Sequence, residues 1–206
     1  DKVVALCVFS LVGSLLVMGG AVRPVSAWTS ADGAVSKVTD TSYPSLARDV
    51  DVDVDGNMYV VGTLRGVGDI DPDPTSPAPV NTSNKTQGIL HKLDSSGNLL
   101  WTFRAGKTSA NYTTSFEAVE VDASGNVYVG AMWKGKSDLG LGTTNPPEVR
   151  STGATSGPGI RFDVLIIKIS PRGDLLWQKQ WGGSRSDSLS DIALGPGGNI
   201  HAVGWI

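Results

Sequence analysis

Three carboxylates alternate in Asp51-Val-Asp53-Val-Asp55-Gly56-Asn57, and a second set alternates in Asp69-Ile-Asp71-Pro-Asp73. Carboxylates at this spacing suit a hard cation such as calcium, which takes oxygen ligands. The first run resembles the opening of an EF-hand loop, but such a loop ends on a bidentate Glu at its twelfth position, and that position here is Gly62. The corresponding stretches further along read Glu120-Val-Asp122-Ala-Ser124 and Ala193-Leu-Gly195-Pro-Gly197. The acids fade while the alternating apolar residues persist. Alternation of this kind is the period of a β-strand, with valines on the inner face and acids in solvent. The expectation for Asp51, Asp53 and Asp55 is therefore a solvated strand, with a calcium loop as the alternative. For Asp69, Asp71 and Asp73 it is a solvated loop stiffened by proline.

The other chemically able residues are few. The chain has two histidines, His91 and His201, and one cysteine, Cys7. Both histidines stand in strand-like stretches where the matching positions hold Ile167, or Tyr59 and Tyr128. They read as substitutions within a repeated pattern and not as a catalytic pair. Without further His or Cys, neither a zinc site nor a Cys-His dyad can be assembled. No Gly-x-Ser-x-Gly nucleophile elbow occurs. These residues predict no catalytic group, no metal ligand set and no cofactor. A formal net charge of −3 without a basic run argues against nucleic acid as a partner.

What positions these residues is a repeated unit. Leu93-Asp-Ser-Ser-Gly-Asn-Leu-Leu-Trp101 returns as Ile169-Ser-Pro-Arg-Gly-Asp-Leu-Leu-Trp177. Asp53-Val-Asp-Gly-Asn-Met-Tyr-Val60 returns as Asp122-Ala-Ser-Gly-Asn-Val-Tyr-Val129 and as Gly195-Pro-Gly-Gly-Asn-Ile-His-Ala202. The unit is about 70 residues long. Gly and Asn in each phrase supply a tight reversal, because Gly adopts positive φ readily and Asn tolerates it. The flanking runs are strand-like, so one unit reads as strand, turn, strand, long loop, strand, turn, strand. Four antiparallel strands in such a unit predict an all-β protein of β-propeller blades. About two and a half blades are present. The expected organisation is a signal peptide at 1–27, a lead-in at 28–41 and blades at 42–110, 111–183 and, in part, 184–206. A propeller closes with at least about four blades, so the chain reads as a fragment whose other blades lie beyond Ile206.

Asp53-Val-Asp-Gly-Asn-Met-Tyr-Val-Val-Gly62, Gly68-Asp-Ile-Asp-Pro-Asp-Pro74 and Lys92-Leu-Asp-Ser-Ser-Gly-Asn-Leu-Leu-Trp101 resemble the secreted β-propeller repeats called SBBP repeats. The second copy matches at 122–130 and 168–177, while Asp138-Leu-Gly-Leu-Gly142 replaces the Asp-Pro segment. The resemblance covers about residues 42–206 and implies an extracellular or envelope protein with a binding or structural role and no shared catalytic residues. The Gly-x-x-x-Trp spacing at Gly97–Trp101 and Gly173–Trp177 is also similar to the docking motif of quinoprotein propellers. That motif carries an extra residue and a Thr between its Asp and Gly, which this chain lacks, so a shared packing solution is expected in place of a quinone. Trp101 and Trp177 are expected to pack between neighbouring blades; of the unshared tryptophans, Trp133, which precedes a long loop, is the better candidate for a surface contact, though a structural role is the favoured reading for it too.

The first 27 residues differ from the rest. Lys2 precedes an uncharged apolar run to Met18, and Val25-Ser26-Ala27 follows. A basic start, an apolar core and a small-x-small end predict a secretory signal cleaved before Trp28. The alternative is an uncleaved membrane anchor, since about 20 apolar residues can span a bilayer. Cys7 lies in this segment, so the mature chain would hold no disulfide. Three glycosylation triplets start at Asn81, Asn84 and Asn111. They would carry glycans in a eukaryotic secreted protein and mean nothing in a bacterium. The function expected is a secreted or envelope scaffold, non-catalytic, binding an extracellular protein or carbohydrate through the loops at 67–87 and 135–160. The alternative is an enzyme whose site draws on blades absent here, in the manner of a quinoprotein or hydrolase.

Overall fold

The structure is a computed structural model that describes residues 45–71, 78–108, 112–152 and 161–205. The signal segment, the lead-in, Asp73 and Asn111 lie outside the described residues. The strands, in chain order, are β1 (Leu46–Val52), β2 (Met58–Leu64), β3 (Val67–Asp69), β4 (Pro79–Asn81), β5 (Gln87–Leu93), β6 (Leu99–Gly106) and β7 (Thr113–Val121). They continue with β8 (Val127–Lys134), β9 (Lys136–Leu139), β10 (Glu148–Arg150), β11 (Phe162–Ile169), β12 (Leu175–Trp181), β13 (Ser188–Leu194) and β14 (Ile200–Trp205). The described chain is all-β, with one 3₁₀ turn at Pro196–Gly198.

Among the described residues four antiparallel sheets form, and none of them closes on itself. Their strand orders are β1-β2-β5-β6-β9-β10, β12-β11-β8-β7, β13-β14 and β3-β4. Two meanders are evident, β1-β2-β5-β6 and β7-β8-β11-β12, and they share their register. The first strand of each pair bulges at the same place, at Arg48, Glu117 and Ser190 in turn. A β-bulge bends its strand and sharpens the local twist.

The turns explain why the Asp-x-x-Gly-Asn phrases recur. Asp53 N donates to Asn57 O, and Gly56 N donates to Asp53 O, each at 3.0 Å. This is a type I turn followed by a glycine bulge, a common hairpin connection. Gly56, Gly97, Gly125 and Gly173 all sit at φ between 76° and 91°. The turn asparagines do not share that role, since among the described residues only Ser83, Asn84 and Asn145 of the non-glycines have positive φ. Asn57 instead donates its backbone N–H to Asp53 Oδ1 and its amide to Oδ2, at 2.9 and 2.8 Å. The phrase is a carboxylate-centred turn in which Asp accepts and Asn donates.

The loops expected at 67–87 and 135–160 contain hairpins. β3 pairs with β4, and β9 with β10. β9 also joins the edge of the preceding meander, with Leu139 opposite Ala105 and Asp138 opposite Gly106. Lys107 clamps this seam by pairing with Asp138 at 2.7 Å and Glu148 at 2.9 Å.

The apolar cores lie between successive sheets. The larger joins Tyr59, Leu90 and Phe103 of the first meander to Phe116, Val129 and Trp133 of the second. The smaller joins Ala118, Tyr128 and Ile166 of the second to Leu189 and Ile192 of the β13–β14 pair. Phe116 stacks on Phe103 with ring centroids 6.4 Å apart and lies over Gly88, where any Cβ would collide with its ring. Leu189 sits on Gly130 in the same way. Strand alternation thus becomes face-to-face packing of one sheet on the next.

Candidate functional site

The carboxylates of β1 hold the two meanders together along their first strands. Asp49 bridges two backbones: its Oδ1 accepts Val50 N at 2.8 Å and its Oδ2 accepts Val119 N at 2.9 Å. Asp51 does the same for Val52 N and Val121 N, both at 2.7 Å. An edge strand has unpaired N–H groups on its outer side, and here the preceding first strand supplies their acceptors. Glu120 occupies the place of Asp51 in the second meander. Burial raises the Glu120 carboxyl above its ordinary range, the charges of Asp51, Asp191 and Asp49 add to this, and a hydrogen bond from the Leu194 backbone opposes it. Arg48 pairs with Glu117 at 3.5 Å between the two bulges.

A second constellation sits behind each first turn. In the first meander Tyr59 O–H donates to Asp53 Oδ2 at 2.9 Å, Lys92 lies 5.0 Å from the Tyr59 ring centre, and Trp101 meets the ring edge-on at 6.3 Å. In the second, Tyr128 donates to Asp122 Oδ2 at 3.2 Å, Lys168 lies 4.7 Å above it, and Trp177 meets it at 6.1 Å. Burial and the neighbouring Asp53 carboxylate hold the Tyr59 phenol above its usual range. Burial would raise the Asp53 carboxyl, but the donors from Asn57, Tyr59 and Asp55 outweigh it and bring it below the ordinary range. These acids are saturated with protein donors.

The candidate calcium residues do not converge. Asp51 binds backbone amides, Asp53 centres its turn, and Asp55 donates its N–H to Asp53 Oδ1 at 3.0 Å. Asp69 accepts Asp71 N and Ala78 N at 3.1 and 2.8 Å, closing its own loop. Among the described residues no group of three or more His, Cys, Asp or Glu side chains is arranged to hold a metal ion. The chain matches no protein-family model and no curated protein.

The histidines stay apart in role. His91 Nδ1 is 2.8 Å from Thr102 Oγ1, and burial pulls its pKa down to about 4 against a smaller opposing pull from Asp71. His201 is exposed on β14. Trp133 takes the structural role and not the surface one. It is wholly buried in the larger core and offers no surface contact. Its place, two residues before Gly135, matches that of Leu64 before Gly66, and Leu64 is equally buried. Aligning those glycines would have found it. Asn81 and Asn84 are both exposed, so two of the three glycosylation triplets have accessible side chains.

Sequence reasoning missed two buried polar residues, Gln87 and Asp163, which hold equivalent places on β5 and β11. Each has an atom without a hydrogen-bond partner, Gln87 Nε2 and Asp163 Oδ1. The signal was available, because both stand five residues before the aligned lysines Lys92 and Lys168.

Proposed function

We propose that the chain is part of a secreted, non-catalytic β-propeller of the SBBP-repeat kind, serving as an extracellular or envelope scaffold that binds protein or carbohydrate. Face-to-face packing of successive four-stranded meanders is the observation that carries this reading. A propeller is built by radial repetition of such sheets.

The two end faces support it further. Val119 and Ile192 are each 3 % exposed where they meet the preceding sheet, whereas Val50, at the matching place on β1, is 53 % exposed. At the opposite end Val203 is 59 % exposed, while its counterpart Val61 is 1 % exposed. Each end presents half of an interface that the chain builds twice internally, as adjoining blades would require. Recognition is assigned to the excursions that carry β3–β4 and β9–β10, because loops and hairpins on a rigid frame carry function in such folds.

Probing the purified protein against glycan and surface-protein arrays tests the reading. Binding that is lost on exchanging the 67–87 segment for a short turn, with cooperative unfolding retained, supports it. Absorbance from a bound cofactor, or turnover of a substrate, would replace it with a propeller enzyme.

A further inference from the structure

Asp163 is a wholly buried carboxylate at the junction of the second meander and the β13–β14 pair. Its Oδ2 accepts the N–H and hydroxyl of Thr152, the hydroxyl at 2.9 Å, while its Oδ1 has no partner. Its carboxyl lies directly against Gly182, where any Cβ would collide with it. No Lys or Arg among the described residues forms an ion pair with it. A buried charge in this condition is costly unless a proton or a metal ion neutralises it.

The matching junction between the two meanders is built differently. There Gln87 takes the place of Asp163, packed against Gly106 as Asp163 is against Gly182. Arg104 Nη1 donates to Gln87 Oε1 at 3.3 Å. Arg104 pairs with Ile89 across the sheet, and Gln180 pairs with the equivalent Leu165. One junction therefore holds a neutral amide and a fixed cation, and the other holds a carboxylate with no cation beside it among the described residues.

A second acid has been added at the same spot. Asp187, also buried, donates its N–H to Phe162 O at 2.7 Å, just as Thr114 donates to Thr86 O at 3.1 Å in the earlier junction. Its Oδ2 accepts Gly183 N at 3.2 Å, and the Gly183 carbonyl lies 3.5 Å from Thr152 Oγ1. Two acids thus replace Gln87 and Thr114, and both lie against the Gly182–Gly183 backbone.

We propose that Asp163 and Asp187 bind a calcium ion at this junction, with the Gly183 carbonyl and the Thr152 hydroxyl in its oxygen shell. Calcium accepts carboxylate, carbonyl and water oxygens together, so two acids suffice without a third. The ion restores the charge that Arg104 supplies in the first junction and fastens the β13–β14 pair to the second meander. The site stands apart from the scaffold reading and would hold for an enzyme equally.

Terbium chloride titrated into the full chain tests this, because Trp181 adjoins Gly182 and can sensitise the ion. Saturable emission that calcium chloride displaces is expected, with calcium raising Tm by about 5 °C or more at saturation. Asp163→Asn should weaken calcium binding at least tenfold, and Asp53→Asn should leave it unchanged. Should Asp163→Asn fail to fold, Asp187→Asn carries the same readout. The proposal is overturned if the unaltered chain shows neither displaceable terbium emission nor a calcium-dependent Tm, or if these variants bind calcium as it does.

Discussion

The indole N–H of Trp101 donates to the carbonyl of Pro171 at 3.0 Å, across the seam between the two meanders. The same ring rests on Tyr59 of its own sheet and under Gly173 of the next, where an added Cβ would lie 3.2 Å from the indole. Trp101 is thus fixed from both sides. Trp177 has the first contact, with Tyr128, but no described residue accepts from its indole.

This difference separates two residues that the sequence makes equivalent. Trp101→Phe should cost about 1 kcal/mol, the worth of a hydrogen bond whose carbonyl partner keeps access to water. Trp177→Phe should cost less, because no such bond is lost. Urea denaturation of both variants, compared at constant m value, checks the order. Equal losses would mean that packing on the tyrosine alone decides the position.

The paired carboxylates of β1 give a second prediction. Asp51→Ala removes the acceptor of both Val52 N and Val121 N, and Val121 N lies at the partly buried seam. A loss of about 1–3 kcal/mol is expected. Val52 is exposed, so solvent can serve its N–H. Amide hydrogen exchange should therefore quicken at Val121 more than elsewhere on β7. A variant whose exchange changes only at Val52 would show that the link across the seam contributes little.

Much of this frame was legible from the residues. Alternating Val50, Val52, Val119 and Val121 marked the strands, and each Asp-x-x-Gly-Asn phrase marked a turn because its chemistry is local. The short strands β3, β4, β9 and β10 were not legible. They are held by pairing and, for β9 and β10, by the Lys107 cluster, whose partners come from distant sequence. Thr82 and Ser151 show why: each receives a backbone N–H from Gly66 or Gly135 sixteen residues away, and nothing in a Ser- and Thr-rich loop announces that. Asp163 was hidden for another reason. An acid in a strand reads as solvent-facing until the matching Gln87 shows that the position points inward.

The turn carboxylates predict acid sensitivity with a defined sign. Asp94, drawn below the ordinary range by hydrogen bonds from Asn98, joins Asp53 and Asp122, whose donors outweigh burial. A carboxyl whose folded pKa is depressed stabilises the fold above its unfolded pKa, near 3.9 for Asp, and that stabilisation is lost as pH falls through the folded value. Asp122→Asn should flatten the fall in Tm below about pH 4. It should leave Tm near pH 7 lower by a few degrees, because Asn126 and Tyr128 lose a charged acceptor. Thermal melts between about pH 2.5 and 7 measure both effects.

His91 acts in a higher window. Burial holds its folded pKa at about 4, below the value near 6.5 of an unfolded chain. Between these values the unfolded state binds the proton and the folded state does not, so stability declines as pH falls from about 6.5 toward 4. The full difference is on the order of 3 kcal/mol. The second meander shows how to remove it, because Ile167 fills the matching position and is wholly buried. His91→Ile should therefore abolish the slope of stability between about pH 4 and 6.5 while leaving the turn-carboxylate transition below it intact. Near pH 7 the exchange should cost no more than about 1 kcal/mol, the worth of the contact with Thr102. Urea titrations at several pH values across this window read the slope directly. A slope that survives the exchange would place its origin in a group other than His91; the raised carboxyl of Glu120 is not that group, because it favours the fold as pH falls.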